Sequence, residues 1–180
     1  MEKLKIVIVG PVGAGKTTFI RSISEVEVVD TDRRATDETA TLKQNTTVAM
    51  DYGKLTLKSG KVLYLHGAPG QARFDFMWEI LIRGVHGYIL LVAAHRPQDF
   101  YNARQILNFI KERIQAPMIV GITHTDCEDA WEIDDICLAL GLLEQKDRPP
   151  IIEVNALSSS SVARCLLTLL EHLLKLTAAR

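Results

Sequence analysis

Leu4 to Val9, Tyr88 to Val92, Met118 to Ile122 and Ile151 to Val154 are short apolar runs with little polar alternation, the pattern of strands covered on both faces. Val48 to Leu57 and Lys61 to Leu65 read as two more strands, joined by Lys58-Ser59-Gly60 in a tight hairpin and therefore antiparallel. Helical spacing covers Lys16 to Ser24, about Arg73 to Arg83, Pro97 to Ile114 with Pro97 suited to the first turn, Glu132 to Leu140 before Gly141, and Ser158 to Leu176. Asp30 to Asn45 is polar and threonine-rich and reads as a solvated, mobile loop. Strands alternating with helices predict an α/β fold: a three-layer sandwich around a mostly parallel six-stranded sheet with one antiparallel edge strand. Ligands of such a sheet bind at the carboxyl ends of its strands. No repeat or linker interrupts the pattern, so residues 1–180 read as a single domain.

Composition narrows the class. At 47% hydrophobic residues the chain can fill one substantial core, and a net charge of −1 gives no electrostatic footprint for nucleic acid. Cys127, Cys137 and Cys165 are odd in number and lack close spacing, which reads as free thiols in a reducing compartment rather than a disulfide framework or zinc site. The longest strongly apolar run, Tyr88 to Ala94, falls far short of the ~20 residues of a membrane helix. Met1-Glu2-Lys3 begins no signal peptide, Glu2 excludes the myristoylation pattern, and the last residues hold no prenylatable cysteine. The expectation is a cytoplasmic protein without an intrinsic membrane anchor, recruited to membranes only through partners.

Between the first strand and the first helix, Gly10-Pro11-Val12-Gly13-Ala14-Gly15-Lys16-Thr17 satisfies G-x-x-x-x-G-K-[ST], the pattern of a phosphate-binding loop (P-loop). Glycines at 10, 13 and 15 let consecutive N–H groups, including those of Val12 and Ala14, point inward, and the helix N-terminus adds partial positive charge. Lys16 then reaches the β and γ phosphates, with Thr18 beside the site, while the Thr17 hydroxyl ligates the accompanying Mg²⁺. A switch GTPase, an ATPase and a small-molecule kinase all use this cradle.

The residues after the third strand, His66-Gly67-Ala68-Pro69-Gly70-Gln71-Ala72-Arg73-Phe74, resemble the D-x-x-G-Q-x-R-F stretch of Ras-like GTPases, with Gly67 in the aspartate's position. The resemblance implies that the Gly70 N–H senses the γ-phosphate and that Gln71 orients the attacking water. Thr123-His124-Thr125-Asp126 occupies the place of the N-K-x-D guanine motif and keeps its aspartate. Asp126 can accept hydrogen bonds from guanine N1–H and the N2 amino group, a donor pair that adenine lacks. His124 lies where the family lysine flanks the base, and Thr123 can bond locally to the phosphate loop. Val154-Asn155-Ala156-Leu157 stands where the family places S-A-K, so the Ala156 N–H faces the guanine O6. For the first switch the resemblance implies a threonine closing over Mg²⁺; Thr47 is preferred, with Thr39, Thr41 and Thr46 as competitors.

Over the whole chain the likeness is nearest to bacterial Ras-like proteins, the gliding-motility polarity (Mgl-type) and conservon-type GTPases. Thr46-Thr47-Val48-Ala49-Met50-Asp51-Tyr52-Gly53, Gly67 to Phe74, Met77-Trp78 and Arg83-Gly84 carry the second similarity. It implies a P-loop G-domain that binds GTP or GDP, effector and regulator proteins, and in some members a Roadblock-type partner that promotes hydrolysis. Two departures bear on mechanism. Gly67 supplies no carboxylate for Mg²⁺, and neither Asp51 nor Asp75 is demanded as its replacement by spacing. His66 reads more readily as a packed histidine than as a ligand. Arg33, Arg34, Arg73 or a partner's residue are the sources of positive charge for the transition state, so slow intrinsic hydrolysis is expected. A P-loop kinase or ATPase, and a scaffold that binds nucleotide without hydrolysing it, stay open as alternatives.

Overall fold

A computed structural model describes residues 2–28, 50–71, 75–143 and 148–178, the side chains of Asp75 and Phe76 excepted. Among these, six strands form one sheet: β1 (Lys3–Val9), β2 (Asp51–Thr56), β3 (Val62–Gly67), β4 (Gly87–Ala93), β5 (Met118–Thr123) and β6 (Ile151–Glu153). Their spatial order is β2-β3-β1-β4-β5-β6. β2 pairs antiparallel with β3 at the edge, and every other pairing is parallel. This is the α/β arrangement expected from the alternating pattern, with the antiparallel strand at the margin.

The helices are α1 (Lys16–Ile23), α2 (Asp75–Ile82), α3 (Phe100–Lys111), α4 (Ile133–Leu140) and α5 (Ser159–Ala178). They sort to two faces because the central strands alternate. Ile6 and Ile8 of β1, Ile89 and Leu91 of β4 and Ile119 of β5 pack with Phe19 and Ile20 of α1 and Val162, Leu166 and Leu169 of α5. Val7, Val9, Leu90, Val92, Val120 and Ile122 point the other way, onto Ile106 and Leu107 of α3 and Ile136 and Leu140 of α4. Apolar residues are required on both sides, so the runs lose alternation in the sequence. Each fully buried Leu or Ile contributes about 1.5–3 kcal/mol.

The boundaries differ from expectation in small ways. Pro97–Asp99 forms a 3₁₀ turn that leads into α3, and α3 stops at Lys111 rather than Ile114. Ser158 caps α5 instead of lying within it: its carbonyl accepts the Val162 N–H and its hydroxyl accepts the Ser161 N–H. The hairpin closes as foreseen, with Leu57 N–H on the Lys61 carbonyl at 2.8 Å. Among the described residues no helix is long and apolar enough to cross a membrane.

Candidate functional site

The glycine loop leaves β1 at the carboxyl end of the sheet. Gly10 has φ +146°, and a Cβ there would fall 2.2 Å from the Leu91 carbonyl oxygen, so only glycine lets the chain turn against β4. The loop then enters α1 at Lys16, and Phe19 N–H closes the first helical turn on the Gly15 carbonyl at 2.8 Å. The Lys16 ammonium lies inside the loop, donating to the Gly10 carbonyl at 2.9 Å and the Pro11 carbonyl at 2.8 Å.

A cleft of about 690 Å³ opens over this loop. Its wall includes Val12, Gly13, Gly15, Lys16, Thr17 and Thr18 from the glycine loop and the start of α1, Thr123, His124 and Asp126 from the end of β5 and the loop after it, Ala156 from the loop after β6, and Gly70 from the loop after β3. Gly10 and Ala14 support the wall through their carbonyls, which accept from Lys16 and Thr123 respectively. Gln71 is exposed and is not part of the wall. Thr47, like Arg33, Arg34 and Arg73, lies outside the described residues.

At the end of β5, buried Thr123 donates its hydroxyl proton to the Ala14 carbonyl at 2.9 Å. Its oxygen is 3.0 Å from His124 Nδ1. Since the single hydroxyl proton is already directed to a carbonyl, Nδ1 must carry the hydrogen of this contact, leaving Nε2 as the acceptor when the ring is neutral. His124 adopts φ +57°, uncommon for a side-chain-bearing residue, and its ring lies 4.5 Å from that of His95. Burial first, then the neighbouring His95, lower the His124 pKa, with Asp126 opposing. His66 stands on β3, half-buried with its ring 5.4 Å from Tyr52, outside the cleft wall, as a packed histidine would.

The Ala156 loop is held by its own side chains. Asn155 N–H donates to Ser161 Oγ at 3.0 Å, and Leu157 N–H to Asn155 Oδ1 at 3.0 Å. A Cβ on Gly15 would touch the Ala156 Cβ at 3.4 Å, so the glycine loop and the loop after β6 meet there. Glu153, Asn155, Ser161 and Arg164 also line the cleft; Asn155 stood within the quoted Val154 to Leu157 string without a role, and the other three were not site candidates.

The loop after β3 rests on the phosphate loop. A Cβ on Gly70 would lie 2.4 Å from Val12 N and 2.6 Å from the Pro11 carbonyl carbon, a backbone-to-backbone approach. Trp78 Nε1 donates to the Pro69 carbonyl at 2.8 Å, and Asn102 Nδ2 to the Gly70 carbonyl at 3.1 Å. Sequence reasoning did not identify Asn102, which acts from a distant helix.

At the phosphate end, Thr17 Oγ1 donates to Asp51 Oδ2 at 2.6 Å. Hydroxyl and carboxylate oxygens are the hard donors that suit Mg²⁺. Among the described residues no group of three or more His, Cys, Asp or Glu side chains could hold a metal by itself. Such a site fits an ion that is completed by phosphates and water. The side chain of Asp75, the other carboxylate considered, lies outside the description.

The model of a family described as "Conserved hypothetical ATP binding protein" matches residues 26–175, beginning after the glycine loop. An uncharacterized protein of Methanocaldococcus jannaschii is 30% identical over 137 residues, covering 76% of this chain and 80% of that one. Among solved structures, the Arl6 (BBS3) small GTPase of Trypanosoma brucei, with the bound nucleotide analogue GppNp, superposes with a TM-score of 0.74. That likeness covers 96% of this chain and 98% of the other at 16% identity. It shows a shared fold: the molecule has the small-GTPase architecture.

Proposed function

The chain belongs to the family described as conserved hypothetical ATP binding proteins; from the residues that line its cleft we propose that it is a guanine-nucleotide-binding switch that hydrolyses GTP slowly to GDP and phosphate. The observation that carries this reading is that Lys16, from the phosphate loop, and Asp126, from the loop after β5, line one cleft. A nucleotide spanning them presents its phosphates to the ammonium and its base edge to the carboxylate. Guanine offers N1–H and N2–H to Asp126; adenine offers an acceptor at N1, which a carboxylate repels. The family description favours adenine as the second reading.

In this reading Lys16 turns from the Gly10 and Pro11 carbonyls to neutralise the β and γ phosphates, which the loop N–H groups also bind. Mg²⁺, when bound, screens the phosphate charge. Gln71 is the residue that orients the water attacking the γ-phosphorus, whose bond to the bridging oxygen breaks as phosphate leaves. Its exposed position, one peptide beyond the wall, accounts for slow turnover without a partner. A regulator that seats Gln71, or adds a cation, accelerates hydrolysis; an inserted arginine contributes ~10³–10⁵-fold. A Roadblock-type protein is the regulator class implied by the sequence resemblance. The bound state alters the loop after β3 and thereby the surface offered to effectors.

Denaturing the purified protein and identifying the released nucleotide tests the base. Released GDP or GTP supports the proposal, and adenine nucleotide alone replaces it with the second reading.

A further inference from the structure

We propose that His95 is a positioning residue for nucleotide binding: it braces the His124 ring on which the base rests, and the two imidazoles together make the grip on the nucleotide weaken in acid. This rests on the nucleotide-binding reading and adds to it a residue outside the cleft wall and a dependence on pH.

The rings stand side by side because their backbones are tied together. Ala94 N–H donates to the Thr123 carbonyl at 2.8 Å, and the Ala94 carbonyl accepts the Trp131 N–H at 2.9 Å. His95 follows Ala94 and His124 follows Thr123, so the loops after β4 and β5 leave the sheet next to each other. The ring centroids are 4.5 Å apart with their planes at 43°, a tilted contact of the kind that aromatic pairs favour.

His124 needs such a brace. It lines the cleft with a left-handed backbone, φ +57°, which a residue carrying a side chain keeps only where its surroundings hold it. Those surroundings are the Thr123 hydroxyl, 3.0 Å from Nδ1, the Cys127 N–H, which donates to the His124 carbonyl at 3.3 Å, and the His95 ring. The Thr123 hydroxyl in turn holds the Ala14 carbonyl of the glycine loop. A shift of the His124 ring therefore reaches the loop that would bind phosphate.

His95 is half-buried and outside the wall, and its buried Nδ1 has no hydrogen-bond partner among the described residues. Hydrogen bonding at that atom thus gives no reason for a histidine here. What the residue offers is its ring to His124 and its capacity to carry charge.

A proton has one place to go on His124. Nδ1–H is committed to Thr123, so Nε2 accepts it. The charged and titratable groups acting on the ring are His95 and Arg96 from the loop after β4 and Asp126 from its own loop. Burial and then His95 hold the His124 pKa below its ordinary value; Asp126 opposes them, and Arg96, itself paired with Asp99, adds to the lowering. A base laid on the ring buries it further, so the occupied protein resists the proton more than the empty one. Affinity is full above the empty protein's His124 value and declines as the pH falls through it. An imidazolium there also competes with the base for the Asp126 carboxylate.

The test titrates the full chain, with Mg²⁺ present, against a fluorescent GDP from about pH 7.5 to about pH 5.5. Wild type is expected to bind ~3–10-fold more weakly at the acid end, the size of a coupling between neighbouring groups. His124→Phe, which keeps a flat ring and takes no proton, is expected to lose most of that decline, the remainder belonging to the phosphates of GDP and to other groups. His95→Ala is expected to weaken binding ~3–10-fold near neutrality and to move the decline to higher pH. His95→Phe restores the brace without the charge: it is expected to recover most of the neutral affinity while its decline stays at higher pH than that of wild type. Proton NMR of the His124 ring in the empty protein is expected to show the same displacement without GDP. A wild-type affinity that does not change with pH, a decline at the same pH in wild type and His95→Phe, or one undiminished in His124→Phe overturns the assignment and leaves the nucleotide reading intact. A wild-type protein that binds no guanine nucleotide near neutrality overturns the reading beneath it.

Discussion

Thr123 at the end of β5 and Ala14 in the glycine loop, 109 residues apart, are joined by a 2.9 Å hydrogen bond from hydroxyl to carbonyl. The bond ties the loop that would grip phosphate to the strand end that would present the base reader Asp126. Replacing Thr123 with Val keeps the volume and leaves a buried carbonyl without this donor, at a cost of about 1–3 kcal/mol. Urea denaturation should report that loss, and nucleotide should dissociate faster from the variant. Thr123→Ser, which retains the hydroxyl, is expected to restore both.

Gly70 presses backbone to backbone on Val12 and Pro11, and neither neighbour is the flexible end of a side chain. A methyl group there forces the loop after β3 away from the phosphate loop, with an overpacking cost of about 1–3 kcal/mol. Gly70→Ala is therefore expected to bind nucleotide but to release phosphate from GTP much more slowly. Comparing single-turnover phosphate release with equilibrium binding checks this, and equal loss in both would contradict it.

If Gln71 orients the attacking water, Gln71→Leu should abolish phosphate release while leaving GDP affinity nearly unchanged, since the side chain is not part of the cleft wall. Unchanged turnover in that variant would remove Gln71 from the mechanism.

Burial and the charge on Lys5 lower the pKa of His66 below its ordinary value of 6.5. The folded protein therefore resists protonating this ring while the unfolded chain accepts the proton. Stability from this group is complete above the unfolded value and declines as the pH falls from there toward the lower folded value. The buried Nδ1 of His66 has no hydrogen-bond partner, which is consistent with a neutral ring. Urea midpoints measured from about pH 7.5 to about pH 5.5 should fall on acidification. His66→Phe should flatten the decline, with the part due to His124 persisting, because burial lowers that ring's pKa as well.

Much of the fold was legible because each inner strand buries both faces, which removes polar alternation, and because Gly10 to Thr17 is a local motif whose backbone demands are written in its glycines. The residues after β5 and β6 that line the cleft, Thr123, His124, Asp126 and Ala156, were found from equally local strings. Contacts between distant elements were not: Asn102 reaches Gly70 from α3, and nothing in its own neighbourhood marks it. No local pattern marked where Asp51 would stand, although the hairpin register gives its place. Pairing Leu57 with Lys61 and stepping along both strands puts Asp51 opposite Gly67. What no local pattern could supply was the close approach of β2 to α1 at Gly53, which depends on how the edge strand packs.

The central claim is that Asp126 reads a guanine whose phosphates lie in the glycine loop, and base exchange at that carboxylate tests it most directly. Titrations of wild-type protein and Asp126→Asn with GDP, XDP and ADP should show wild type preferring GDP and the variant shifting to XDP, whose 2-oxo group matches the donor of an amide. Unchanged preference after the substitution, or tighter ADP than GDP binding by wild type, would contradict the account.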